Sequence, residues 1–498
     1  MFERTSRSLV LTASLLLQLS GFGCEDAPAS PVEDAGSSGA GGLAAGSSGR
    51  VAAGSGGAGE AAADSGGAGS AGAAAAAGKA GSAGNTAAVG GEALDRSTVQ
   101  PNVTPEVEDS AYAALIAQLN QFGLELGRRQ VEANKLSDKN TVFAPISASI
   151  ALSMTYAGAR GVTATEFEAA LTGGIAADSY HTGINRLSRE LASRTGGWND
   201  AWGMRSNNEL NIADALYVEA ELDVLPGFLD QLSRDYDSGV HRSDFQHDFE
   251  AERVRINDWV AGETNDKIKD LLTPGVLDAD TRMVLVNALY FYGSWRDKFA
   301  VAGTSAADFH TLADQTVSVP TMHKQLLFSV YKETDAFAAV DLPYVGDHLS
   351  MLCVLPKAGQ FESVRDAVSG QWFESTLKDT KRVTVNLALP KFKMTTDSLS
   401  LNESLKAMGF TTALSDAANF SGISADGGLK IGDVVQRAFI GVDETGTEAA
   451  AATAVTVAPA AAPVEIVDLT LDRPFLFFIH DDSGIVLFSG QVVDPSAG

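Results

Sequence analysis

The chain has 498 residues, 45% of them hydrophobic, enough to bury a sizeable core, and a formal net charge of -27 at pH 7. So acidic a chain excludes nucleic acid as a partner and disfavours heparin-like polyanions, because like charges repel. Two cysteines, Cys24 and Cys353, and seven histidines with no paired ligand spacing on one helix point to neither a metal nor another cofactor, and no nucleophile elbow follows a strand-like run.

In chain order, Arg4 and Arg7 precede Leu9-Val10-Leu11 and Leu15-Leu16-Leu17, and small residues lead to Cys24, the layout of a secretory signal over residues 1–24. Cys24 resembles the lipid-modified cysteine of a bacterial lipoprotein, although Gly21 stands where a leucine is usual; a plain signal peptide cleaved nearby is the alternative. Residues 25–107 are assigned to a tether. As far as about Pro101 they are almost wholly Gly, Ala and Ser with scattered acids and no aromatic, too little apolar surface to offset chain entropy. Its end-to-end distance would be on the order of 50 Å. With no later run of about twenty apolar residues, contact with a membrane would come only through a lipid on Cys24. The expected location is the cell envelope or the extracellular space.

A folded domain is expected over 108–495. Leu115, Leu119, Phe122 and Leu126 recur at helical spacing, Pro145 and Ser147 open a second helix, and Thr163-Ala164-Thr165-Glu166 reads as a capping box for a third. The runs Met283 to Phe291, Leu349 to Leu355 and Val383 to Leu389 are β-rich and bounded by turn residues. Helices concentrated in the first third and strands thereafter imply an α+β fold rather than a doubly wound order. Cys353, inside Met351 to Leu355, reads as an inert packed thiol.

Between the apolar run Ile431 to Ile440 and the strand-like segments after Leu469 lies a connection too long for a hairpin: Glu444-Thr445-Gly446-Thr447-Glu448, then Ala449, Ala450, Ala451, Ala452, Thr453 and on to Val464. Loops of this length are usually functional or disordered. If it were extended, Thr447, Ala449, Ala451 and Thr453 would face one way, since side chains alternate along a strand. Small side chains in a row could slide beneath a covering layer.

That stretch resembles the hinge of the serpins, with Glu444, Gly446, Thr447 and Ala449 to Ala452 matching the family pattern about forty residues before the C-terminus and ahead of Arg473-Pro474-Phe475. Further blocks match in order: Asn140 to Ser147, Gly158 to Thr163, Asn257 to Val260, Met283 to Phe291 with Gly293, Trp295 and Phe299, Leu389 to Phe392, Met408 to Phe410, and Phe420 to Ile423. The resemblance implies three β-sheets, about eight or nine helices and an exposed reactive loop at about 444–466. It implies a monomeric inhibitor, not an enzyme, that a serine or cysteine protease cleaves and to which it becomes covalently bound as the loop inserts into the central sheet. Gly446 would let the backbone bend at the sheet.

Counting as in the family places the reactive bond at Ala460-Ala461, with Val464-Glu465 second; both suit an elastase-like pocket, and no Arg or Lys lies between Glu444 and Asp472. In the region where the sheet would open, Ser147, Asn287 and Trp295 match the family, whereas Ala144 and Gln436 stand where Ser and His are usual. Gln436 is expected to bond Asn287, keeping a polar latch without an ionisable group. Lys391 and Glu444 match a charged pair at the top of the sheet, or are two solvated surface charges. The rival readings are a hydrolase and a non-inhibitory surface protein using the same fold for binding.

Overall fold

Leu115, Leu119, Phe122 and Leu126 line the buried face of helix Asp109–Ala133, as their spacing requires. The next helix, Pro145–Tyr156, is buried at every position, which suits a segment with no charged residue on any face. Its hydroxyls do not go unpaired there: Ser149, Ser153 and Thr155 each donate to the carbonyl four residues back. The computed structural model describes residues 94–200, 203–447 and 465–497.

Two hydrogen-bonded sheets of nine strands each enclose these helices. Across the central sheet the order is Leu94–Asp95, Val240–Ser243, Arg205–Glu219, Met283–Ser294, Gly446–Thr447, Asp433–Val442 and Phe392–Thr395. The second sheet runs from the edge strand Ile466–Thr470 through Lys381–Pro390 and Thr316–Glu333 to Phe337–Pro343, Leu349–Pro356, Phe475–Asp481, Val486–Val492 and Thr141–Phe143. Helix Phe245–Glu263 covers the opposite face of the central sheet, with Phe245, Ile256 and Val260 against Tyr217 and Val286. Nine α-helices occur among the described residues, and the architecture is α+β, as expected.

Three details differ from the sequence expectations. Two of the three expected sheets are continuous, because Thr316–Glu333 pairs with Ser305–His310 and Lys381–Pro390 along one part and with Phe337–Pro343 at its end. The capping box does not form. Helix Gly161–Ala170 has no side-chain cap, and Thr163 and Glu166 instead accept hydrogen bonds from the main chain of Asn419, Thr412 and Ala413. Finally, part of the segment assigned to the tether is built into the domain: Leu94–Asp95 adds a strand to the central sheet and Val107 packs on the main core. Composition does change there, since Leu94, Val99, Val103 and Val107 follow a run with few residues larger than alanine.

Candidate functional site: the hinge and the seam of the central sheet

Strands Met283–Ser294 and Asp433–Val442 pair in parallel only from Val284 to Leu289 and from Asp433 to Ala438. Beyond that they diverge, and Gly446–Thr447 fills the fork, Thr447 pairing with Val442 on one side and Gly293 on the other. The chain reverses into the fork through a turn built on Asp443, whose Oδ1 accepts from the Thr445 N–H at 2.8 Å and its hydroxyl at 2.8 Å. A Cβ on Gly446 would lie 1.9 Å from the Gly293 carbonyl oxygen. Glycine is needed here for close approach of two backbones, not for the bend that the sequence suggested, as its φ is not positive.

Trp295 clamps this turn. Its indole Nε1 donates to the Asp443 carbonyl at 2.9 Å, its backbone N–H donates to the Thr445 carbonyl at 2.9 Å, and its ring stacks on Tyr344 with centroids 4.6 Å apart. Tyr344 in turn shares a hydrogen bond of 2.6 Å with the Thr447 hydroxyl, so Thr447, only 1% exposed, already points into the core. Glu444 is held by Lys391 Nζ at 2.7 Å and by the Thr304 hydroxyl at 2.7 Å. Burial alone would raise its carboxyl, but these two donors overcome that and hold it below the usual range. The pair is thus a structured contact, with the Glu444 side chain 8% exposed, rather than two solvated charges.

Lower in the seam, Gln436 and Asn287 are register partners, and Gln436 Nε2 donates to Asn287 Oδ1 at 2.6 Å. The same amide group spans to the main chain at Ala144, donating to its carbonyl at 2.9 Å and accepting from its N–H at 3.3 Å. No side-chain hydroxyl is needed at position 144 for that contact. An ionisable group nevertheless sits one strand away, which the sequence expectation missed: Asp214 Oδ1 accepts from the Ser147 hydroxyl at 2.7 Å and from Asn287 Nδ2 at 2.9 Å. Its other oxygen is closed to solvent and has no partner. Burial, opposed only by those two donors, pushes its carboxyl well above the ordinary value. The available signal was one acid inside the alternating run Ile212-Ala213-Asp214-Ala215-Leu216.

The structure therefore brings Glu444, Gly446, Thr447, Lys391 and Trp295 together at the fork and Ser147, Asn287 and Gln436 along the seam below it. Ala449 to Ala452, Thr453, Ala460, Ala461, Val464 and Cys24 lie outside the described residues. Glu465 is described: its carbonyl accepts from the Thr384 N–H at 2.9 Å, its carboxylate meets Lys381 Nζ at 2.5 Å, and Ile466–Thr470 follows along the edge of the second sheet. Sequence reasoning missed Tyr344 and Thr304, and it took Gly293 only as a match at the exit of a central strand; all three roles depend on strands far apart in the chain. Among the described residues no cluster of His, Cys, Asp and Glu could hold a metal ion, and no helix is long and apolar enough to cross a membrane. Cys353 is buried, and burial pushes its thiol up, as an inert packed residue requires.

A mixed two-sheet domain whose central sheet holds a two-residue strand, Gly446–Thr447, between two longer strands is the class that this architecture defines. A sequence model of the family described as Serpin (serine protease inhibitor) matches residues 117–495, and the chain belongs to that family. Leukocyte elastase inhibitor A of Rattus norvegicus is 35% identical over 384 residues, covering 75% of this chain and 97% of that protein. Among solved structures, the thermophilic serpin tengpin in the native state aligns with a TM-score of 0.68 at 26% identity, over 81% of this chain and 99% of that one. A thyroxine-binding globulin in complex with thyroxine aligns with a TM-score of 0.66 at 30% identity, over 76% and 99%.

Proposed function

We propose that this protein inhibits serine or cysteine endopeptidases as a suicide substrate, with elastase-like enzymes as its targets. The observation that carries the reading is the docked hinge: Gly446 and Thr447 already occupy strand positions between Met283–Ser294 and Asp433–Val442. Extending that strand requires only the remaining parallel pairing, and the latch within it, to part.

In this mechanism the protease nucleophile attacks the carbonyl carbon of Ala460. The Ala460–Ala461 bond breaks, the new amine of Ala461 leaves with a proton, and an acyl-enzyme remains on Ala460. The freed segment then enters the seam behind Thr447 with Ala449, Ala451 and Thr453 on the inward side. About a dozen new backbone hydrogen bonds at about 1 kcal/mol each supply on the order of 10 kcal/mol, enough to distort the attached active site before water releases it. Small inward side chains keep insertion faster than deacylation. Glu465 is tied to Thr384 and Lys381, which favours Ala460–Ala461 over Val464–Glu465. The likeness to an elastase inhibitor and the absence of Arg or Lys between Glu444 and Asp472 agree with a small apolar specificity pocket.

Export with a lipid on Cys24 and the tether after it would hold this monomeric domain clear of a membrane; Cys24→Ser should release it into the medium. Incubation with an elastase tests the main reading: an SDS-resistant complex is expected, and N-terminal sequencing of the freed C-terminal fragment should begin at Ala461. The second reading, a non-inhibitory surface binding protein, is favoured by the likeness to a thyroxine-binding globulin. It predicts a cut loop and no complex.

A further inference from the structure

Residues 94–107 cross from the edge of the central sheet to the helices beneath it. On the sheet side, Leu94 and Asp95 pair with His241 and Val240, and Arg242 Nη2 meets Asp95 Oδ2 at 2.6 Å. On the helix side, the Ser97 hydroxyl donates to Asp230 Oδ1 at 2.5 Å and the Ser233 hydroxyl to the Val99 carbonyl at 2.6 Å, both on helix Pro226–Tyr236. Asn102 closes the crossing. Its N–H donates to the Arg234 carbonyl at 2.9 Å, and its carbonyl accepts from Asn185 Nδ2 at 2.9 Å and Arg189 Nε at 2.8 Å on helix Ala177–Ala192. Between the two sides, Arg96 pairs with Asp237, the left-handed residue at the end of helix Pro226–Tyr236.

The body of the domain is shaped to receive this segment. A Cβ on Gly239 would lie 2.3 Å from the Asp95 carbonyl oxygen, while the backbone of Gly239 does not adopt a positive φ. Its glycine is therefore explained by the segment lying against it.

Full insertion must widen the seam by one strand spacing, about 4.8 Å. Strands Met283–Ser294, Arg205–Glu219 and Val240–Ser243 are hydrogen-bonded to one another on one side of the seam, so they move as a block. The helices below are packed into the main core through Ile184, Leu187 and Leu232. The crossing segment bonds to both, and sliding one over the other shears it. We propose that residues 94–103 are a strap that keeps the central sheet from opening in the uncut protein and so slows spontaneous loop insertion; this rests on the insertion reading above.

The test compares the full chain with two variants, Gly239→Val, which pushes the strap backbone away, and Asp95→Pro, which spoils its strand pairing without touching the body. The half-life of elastase-inhibiting capacity is measured in uncut protein, with heat resistance of the inactivated full-length product and tryptic cleavage after Arg96 as readouts. Expected is a half-life about tenfold shorter in both variants, equivalent to about 1.4 kcal/mol off the barrier, with a heat-resistant full-length product and faster cleavage at Arg96. Half-lives within twofold of the parent in both variants overturn the strap, whether or not Arg96 becomes accessible. A parent that gains no heat resistance when its loop is cut overturns the insertion reading itself, and the strap with it.

Discussion

Thr447 is where side-chain size meets mechanism. Its hydroxyl bonds Tyr344 inside the core, so Thr447→Arg would bury an unpaired guanidinium or keep the hinge out of the sheet. Incubated with an elastase and run on an SDS gel, this variant should yield cut loop in place of stable complex. Asp214 carries the pH dependence of the seam. Its folded pKa lies above the unfolded value of about 3.9, so between the two the folded chain holds a proton that the unfolded chain has released. Its contribution to stability is full below the unfolded value and is lost as pH rises through the folded one. Asp214→Asn mimics the neutral acid while keeping an acceptor for Ser147 and Asn287. Thermal melts should show the variant close to the parent in acid and more stable than it above the window, because only the parent then carries a buried charge.

Among the elements, the parallel pairing of Met283–Ser294 with Asp433–Val442 is the contact that the proposed insertion would have to break. Gln436 bridges it to the start of helix Pro145–Tyr156 through three hydrogen bonds. Gln436→Ala leaves Asn287 Oδ1 and the Ala144 main chain with unmet bonds, at about 1–3 kcal/mol for each group that stays dry. The uncut variant should melt several degrees lower and lose inhibitory capacity faster. The loop-cut variant should melt close to the cut parent, because an inserted strand already separates Gln436 from Asn287. Equal losses in both forms would show that Gln436 merely packs and has no part in holding the seam. Since the latch is an amide, it contributes no histidine titration to the opening rate, and any pH dependence of the seam is left to Asp214.

For the molecule as a whole, the quantity that decides the proposed mechanism is the stability that filling the fork would add. Cutting the loop should raise the melting temperature by tens of degrees, because a complete extra strand joins the sheet; calorimetry of intact and nicked protein measures it. Equal melting temperatures would remove the inhibitor reading while leaving the fold. Much of this was legible in local sequence. The hinge spacing from Glu444 to Ala452, the amphipathic first helix and the β-rich runs depend on neighbours a few residues away, and periodicity reports those directly. The same logic misled at Thr163 and Glu166, where a local capping pattern lost to main-chain donors from Thr412, Ala413 and Asn419.

By itself, the sequence determined the fold class and the run of small residues that could line a new strand, because each follows from the order of residue types along one segment. Only the tertiary structure decided that the hinge is already seated at Thr447, that Asp214 sits beneath the seam, and that residues 94–107 belong to the domain. Those facts arise where strands and helices far apart in the chain meet, and burial and hydrogen bonding there depend on partners that no local pattern names.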